Sequence, residues 1–307
     1  MTNQKENTVI VVVGPTAVGK TSLAIELADY FGTEIISADS RQCYQELNIG
    51  VAKPSNAELE QVHHYFIDSH SIHEEVNAAL FEQYALRAAE IVFEKNKVAI
   101  MVGGTGLYIK SFCEGIDNMP PIDEAIRKQI IIEFENQGIQ WLQNELQQKD
   151  PAFWRIAEQH NPHRLMRALE ILYQTGQSIT VYRQQKKIQR SFNIIKVGLE
   201  LPKEQLYDHI NTRVDRMMQE GLLEEVASLY GDRGLQALQT VGYKELFAYI
   251  ERSMSKEEAV LEIKKNTRHY AKRQMTWFKK DPEIQWVHPL KAMDFILSRW
   301  KEKTFEL

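Results

Sequence analysis

The stretch Thr8–Phe31, TVIVVVGPTAVGKTSLAIELADYF, decides the fold. Its first part runs apolar without a break from Val9 to Val13, the pattern of a strand buried on both faces. Gly14-Pro15-Thr16-Ala17-Val18-Gly19-Lys20-Thr21 then fits G-x-x-x-x-G-K-[ST], the phosphate-loop motif of nucleotide-binding proteins, with no mismatch. Its two glycines let the backbone curl so that successive N–H groups point at a phosphate. The helix that follows turns its positive end to the same anion. Lys20 adds a point charge, and the Thr21 hydroxyl is placed to meet a phosphate-bound Mg²⁺. A phosphate or pyrophosphate is expected here.

Outward from that stretch, Thr33 to Ala38 reads as a second strand ending at Asp39-Ser40-Arg41-Gln42. Asn48 to Pro54 is a loop, and Ala78 to Lys95 has helical periodicity. Lys97 to Val102 is a third buried strand running into Gly103-Gly104-Thr105-Gly106. Strands alternating with helices and glycine turns predict a parallel sheet with crossover helices. Asp117 to Pro121 breaks the rhythm, and helices follow to about Arg190. Asp150-Pro151 and Asn161-Pro162 are helix starts, and Gly176 is a stop. Strand character returns from Phe192 to Leu201, then a helix from Pro202 to about Gly221. A capping box at Ser255-Lys256-Glu257-Glu258 opens a helix to Lys280. Ile284 to Val287 predicts a last strand and Lys291 to Trp300 a terminal helix. The fold class expected is therefore α/β: a parallel core of phosphate-loop type over 1–116 and 192–307, carrying an all-helical insertion at 117–191.

The chain has 307 residues, 43% hydrophobic and 26% charged, with net charge −5, a soluble globular balance. No apolar run approaches the ~20 residues that cross a bilayer. The N-terminal MTNQKENT has no leader features, and a cytoplasmic location is expected; a monomer is expected as well. Cys43 and Cys113 stand far apart and read as packing residues in a reducing compartment. Two blocks carry bases and no acid: Arg183, Lys186, Lys187, Arg190 and Lys196, and then Lys264, Lys265, Arg268, Lys272, Arg273, Lys279 and Lys280. Acid-free runs suggest a polyanionic partner.

An ordinary phosphate-loop hydrolase places an Mg²⁺-holding Asp at the end of a second apolar strand. The strand Val98 to Val102 ends in glycine instead, and the nearest strand-end acid is Asp39. In small-molecule kinases an acid at that place faces the acceptor group rather than the nucleotide, making Asp39 a candidate general base; the alternative is that it caps its own turn. Gly103 to Gly106 would allow close approach to a ligand, with the Thr105 hydroxyl meeting a leaving oxygen. His63-His64, His160 and His163 offer no metal-ligand spacing.

The motifs Gly14 to Thr21, Asp39 to Tyr44 (DSRQCY), Ile49 to Pro54 (IGVAKP) and Val102 to Ile109 (VGGTGLYI) occur in that order. His163-Arg164-Leu165, Arg167 to Glu170, Val241-Gly242-Tyr243 and Thr267 to Trp277 (TRHYAKRQMTW) follow. Together they resemble the bacterial tRNA dimethylallyltransferases over nearly the whole chain. The resemblance implies transfer of a dimethylallyl group from its diphosphate to N6 of the adenosine 3′ of the anticodon, in tRNAs reading codons that begin with U. It implies Mg²⁺ as cofactor, a pyrophosphate in the phosphate loop in place of ATP, and Asp39 taking the proton from N6. Thr105 and Arg213 match positions that stabilise the leaving pyrophosphate. Asp39, Ser40, Arg41, Gln42 and Thr105, then His163, Arg164, Leu165, Met166 and Arg167, match tRNA-contacting segments. Arg127 matches a further tRNA contact, and Lys272 and Arg273 on the basic helix are expected to grip the anticodon stem-loop. Cys43 and Val51 depart slightly from the family pattern, and Ser71 to Ala79 departs too far for any assignment. Three rivals remain at this point: a small-molecule kinase using ATP, an isopentenyltransferase acting on free adenine nucleotides, and an RNA-binding module with a vestigial loop.

Overall fold

The computed structural model describes residues 7–184 and 187–305, so Lys186 and the first six residues lie outside the described residues. The order is β1 (Thr8–Val13), α1 (Lys20–Phe31), β2 (Ile35–Ser37), α2 (Asn56–Gln61), β3 (His64–Tyr65), α3 (Ala78–Phe93), β4 (Val98–Val102) and α4 (Gly106–Glu114). Then come α5 (Glu124–Gln137), α6 (Ile139–Lys149), α7 (Pro151–Trp154), α8 (Pro162–Thr175) and α9 (Ile179–Tyr182). The chain closes with β5 (Asn193–Leu199), α10 (Lys203–Gln219), α11 (Leu222–Ser228), α12 (Tyr243–Ile250), α13 (Lys256–Phe278), β6 (Gln285–Val287) and α14 (Pro289–Phe305). The strands form one sheet in the order β3-β2-β4-β1-β5-β6, and every pairing is parallel.

β1 lies between β4 and β5, with Val12 opposite Val102 and Val13 opposite Gly198. That interior place explains its unbroken valine run: Val9 to Val13 are all fully buried. Each such side chain contributes about 1.5–3 kcal/mol on burial, enough to make β1 the axis of the sheet. β3, two residues long at the edge, was absent from the sequence reading, as were α2, α11 and α12.

The chain divides into two compact units, one of 1–114 with 189–307 and one of 115–188. The second unit is built of α5 to α9 around Ile130, Leu142, Leu146, Phe153, Leu165 and Leu169. Its helices start where the sequence puts caps: Asp150 accepts from Phe153 N–H with Pro151 next, and Asn161 accepts from Arg164 N–H with Pro162 next. Gly176, at φ 71°, stops α8 in the left-handed conformation.

Among the described residues no helix is long and apolar enough to cross a membrane. Cys43 and Cys113 are both buried free thiols, and burial pushes each up to about 12.

Candidate active site

The carboxyl ends of β2, β4, β1 and β5 stand side by side, and the site is built on them. Gly14 closes β1 at a φ of +147°, and a Cβ there would lie 2.7 Å from the Leu199 carbonyl oxygen of β5. Gly19 is glycine for its backbone alone, a φ of +98° with nothing within 4 Å. α1 starts directly after it, with no capping side chain and no acid in its first turn. An uncapped start forgoes about 1 kcal/mol of helix stability. It leaves the first N–H groups, and the positive end of the dipole, to an external anion.

Thr16, Ala17, Gly19, Lys20 and Thr21 line a cavity of about 1780 Å³. Gly14, Pro15 and Val18, assigned with them to the diphosphate, are buried, and Val18 packs into the sheet core. Those three frame the loop. The Thr16 N–H does not face an anion either: it donates to Gln274 Oε1 at 2.8 Å. The Thr16 hydroxyl accepts from Arg213 Nη1 at 3.1 Å, and Lys20 Nζ donates to the Pro15 carbonyl at 2.7 Å. Burial first, then the Arg213 guanidinium, pushes Lys20 down to about 7, while Asp39 pulls it up. Burial also holds Arg213, on α10, below its ordinary value, with Asp39 opposing and Arg216 adding to the effect. Two cations destabilised in their own pocket make a host for a multiply charged anion.

Asp39 lines the same cavity. Its Oδ1 accepts from Arg41 N–H at 2.9 Å and Gln42 N–H at 3.4 Å, so it does cap its turn. Capping and base chemistry are compatible here: two backbone donors fix one oxygen and thereby the direction of the carboxylate. Thr105 braces that turn, accepting from Ser40 N–H at 3.0 Å while its own N–H donates to Ala38 O at 3.2 Å. Its hydroxyl keeps a proton to donate, but Thr105 is not among the cavity-lining residues. Gly103 and Gly104 line the cavity, and the glycines of this turn also pack closely against protein. A Cβ at Gly103 would lie 2.2 Å from Ala38 O, at Gly104 2.1 Å from Gln274 Nε2, and at Gly106 2.1 Å from the Trp277 ring.

Residues 48–54 line the same cavity and are held by two residues, Glu225 and Tyr243, to which the sequence alone assigns no role. Glu225 on α11 accepts from the N–H groups of Asn48 (3.2 Å), Ile49 (2.7 Å) and Gly50 (3.0 Å). Tyr243 donates its hydroxyl to Glu225 at 2.5 Å, and Gly50 sits against the Tyr243 ring. The motif Val241-Gly242-Tyr243 was the available signal for this clamp. Gln42, expected at tRNA, uses its amide on Ala52 O (2.9 Å), Val51 O (3.3 Å) and the Ser37 hydroxyl (3.2 Å). Ser40, Arg41 and Gln42 all line the cavity.

The basic blocks are largely answered from within. Lys196 is buried on β5 with Asp281 at 2.8 Å and Glu283 at 2.7 Å; burial would lower it, but these acids hold it above its ordinary value. Arg190 pairs with Glu82 and donates to the carbonyls of Phe112 and Ser111, each at 2.7 Å. Lys264 meets Asp215 at 2.6 Å, Lys265 meets Glu262 at 3.0 Å, and Lys279 meets Glu200 at 2.7 Å. Lys272 and Arg273 are exposed, and Arg273 lines the cavity beside Tyr270.

In the helical unit, Arg127 (3.5 Å) and Arg167 (3.0 Å) converge on the buried carboxylate of Glu170. His163 and Arg164 are exposed, with Arg164 paired to Glu158. Leu165 is a correction: its side chain is fully buried in that unit's core and is not free to read tRNA, while Met166 is half-buried against the same core.

No group of three or more His, Cys, Asp or Glu that could hold a metal occurs among the described residues. Thr21, which lines the cavity, offers one hydroxyl, the donor set suited to an Mg²⁺ that arrives on a phosphate.

A family model described as IPP transferase matches residues 42–281. The tRNA dimethylallyltransferase of Christiangramia forsetii is 49% identical over 280 residues, 91% of this chain and 93% of its own. Its namesake from Bacteroides fragilis, numbered 1, is 44% identical over 92% of this chain and 94% of its own. Among solved structures, the tRNA isopentenylpyrophosphate transferase of Bacillus halodurans superposes with a TM-score of 0.71 at 35% identity, covering 98% of each chain. A eukaryotic dimethylallyltransferase acting on tRNA gives 0.74 at 26% identity, covering 98% of this chain and 77% of that one. A family model matched over 42–281, with relatives 44–49% identical over more than nine tenths of the chain, places the chain in the IPP transferase family, the tRNA dimethylallyltransferases.

Proposed function

We propose that this chain transfers a dimethylallyl group from dimethylallyl diphosphate to N6 of the adenosine 3′-adjacent to the anticodon, in tRNAs reading codons that begin with U. The observation that carries the reading is the joint placement, around one cavity, of an uncapped phosphate loop, two destabilised cations and the aimed carboxylate of Asp39. The C1–O bond of the donor breaks, C1 bonds to N6, the diphosphate leaves and N6 gives up a proton. An adenine amine is a poor nucleophile because its lone pair is delocalised into the ring. Asp39 takes that proton through its second oxygen. Lys20, Arg213 and the first N–H groups of α1 bind the diphosphate where negative charge grows. Thr21 would hold Mg²⁺ against the diphosphate, and the metal would supply further charge neutralisation.

The acceptor base leaves its stack to enter the cavity, a cost of a few kcal/mol offset by binding. Arg41, Lys272 and Arg273 meet tRNA from the α/β unit. His163, Arg164, Arg167 and Arg127 meet it from the insertion, at 117–191. This reading has the enzyme act as a monomer in the cytoplasm, where unmodified tRNA is found. The deciding experiment incubates the protein with dimethylallyl diphosphate, Mg²⁺ and unmodified tRNA, then analyses the nucleosides. N6-dimethylallyladenosine and one equivalent of diphosphate are expected; unmodified adenosine with an ATP-dependent phosphorylated product would replace the reading with a kinase.

A further inference from the structure

We infer that Gln274 is the positioning residue that sets the phosphate loop for the donor, by tying it to the loop after β4 through one buried amide. The inference rests on the proposed diphosphate reading of the loop and deepens it. Gln274 lies on α13, only 6% exposed. Its Oε1 accepts from Thr16 N–H at 2.8 Å, and its Nε2 donates to Gly104 O at 3.1 Å. The two partners have opposite character, so the amide has one permitted orientation, and no carboxylate or alkyl group of that shape serves both.

Two further observations show that the surroundings are made for this amide. A Cβ on Gly104 would lie 2.1 Å from Nε2, so glycine there makes the space that the amide fills. Thr16 is held on its other side by Arg213, whose guanidinium meets the Thr16 hydroxyl at 3.1 Å. Gln274 therefore fixes three things at once: the first free residue of the loop, the reach of Arg213, and the strand-end turn next to Thr105. Both ends of its amide are taken by the protein, Oε1 by Thr16 and Nε2 by Gly104. Its effect passes through Thr16 and Gly104.

The test uses the full-length protein and inorganic pyrophosphate with Mg²⁺, so that neither tRNA nor chemistry enters. Wild type must bind pyrophosphate; if it does not, the diphosphate reading of the loop fails, whatever Gln274 does. Gln274→Glu keeps the acceptor for Thr16, loses the donor for Gly104 and adds charge. Its pyrophosphate affinity at pH 8 should fall at least tenfold, with tRNA affinity within twofold of wild type. Burial of the site raises the pKa of the new carboxyl, so its protonation as the pH is lowered from 8 to 5 restores a donor, and the ratio to wild type should shrink to threefold or less. A support for folding alone would show no such recovery. In the transfer assay the donor KM should rise while the tRNA KM stays put. Gly104→Ala displaces the amide without altering it. It should reproduce the loss, and the two changes combined should cost little more than either. Pyrophosphate affinity within twofold of wild type in both single variants overturns the inference. So does a pH-independent loss, or one matched by tRNA affinity.

Discussion

At the scale of single residues, Lys20 has the clearest signature. In the free site it is pushed to about 7, so above that pH it has shed the proton that an anion needs. Binding a diphosphate restores the charge, and linkage then makes donor affinity fall as pH rises above about 7, by up to about tenfold per unit. Lys20→Arg stays charged throughout, so its affinity should be nearly flat from pH 7 to pH 9. Titration calorimetry with dimethylallyl diphosphate checks this; parallel slopes for the two proteins would refute it. Asp39→Asn is the companion case. The amide oxygen still caps Arg41, so the turn survives, but nothing remains to take a proton. Single-turnover transfer should drop by roughly 10²–10⁴ with tRNA affinity unchanged. A collapse of tRNA affinity with a normal rate at saturation would make Asp39 a binding residue.

At the scale of elements, α13 is the strut of the α/β unit. Along its length Lys264 meets Asp215, Asn266 meets Glu245 at 2.7 Å, Arg268 meets Asn211 at 2.8 Å, Gln274 enters the site and Trp277 covers Gly106. That leaves Lys272 and Arg273 as exposed cations of the helix, of which Arg273 lines the cavity. Replacing both with Ala should weaken tRNA binding for every substrate alike. It should also lower the slope of log K against log salt by about 0.7–0.9 per lost phosphate contact, read from affinities at three salt concentrations. An unchanged slope with lower thermal stability would show that they serve the fold. The helix was legible in the sequence because its capping box and periodicity are local. Its chemistry was not. The acids that answer Lys264 and Lys279 sit on α10 and just past β5, and the partners of Gln274 lie 258 and 170 residues away. A window of sequence showing bases and no acid describes its own stretch, not its neighbours in space.

At the scale of the whole molecule, the sheet was legible where its strands are long and continuously apolar, as in β1, β4 and β5. The two-residue β3 carries too little pattern to register. The insertion showed itself by seventy residues of helix signals without a strand. Its exit is tied to its entrance: Arg190 donates to the carbonyls of Ser111 and Phe112, so the core chain returns close to where it left. A short Gly/Ser linker replacing residues 115–188 should therefore leave a cooperatively folding α/β unit. It should bind pyrophosphate within about threefold of the full chain and lose tRNA affinity at least tenfold, both measured by titration. Loss of pyrophosphate binding would show that the insertion supports the donor site as well.

The place of β1 in the sheet has a consequence for how the protein is made. β1 leaves the ribosome first, yet its neighbours are β4 and β5, and Gly14 closes against Leu199. At ~5–20 residues per second, the roughly 190 residues between them take about 10–40 s to synthesise. Through that interval the four valines and one isoleucine of β1 can pair with β4 along one edge, while the other edge has no strand partner. A nascent chain stalled before β5 carries the whole phosphate motif but none of the residues, Leu199, Arg213 and Gln274, that hold it in shape.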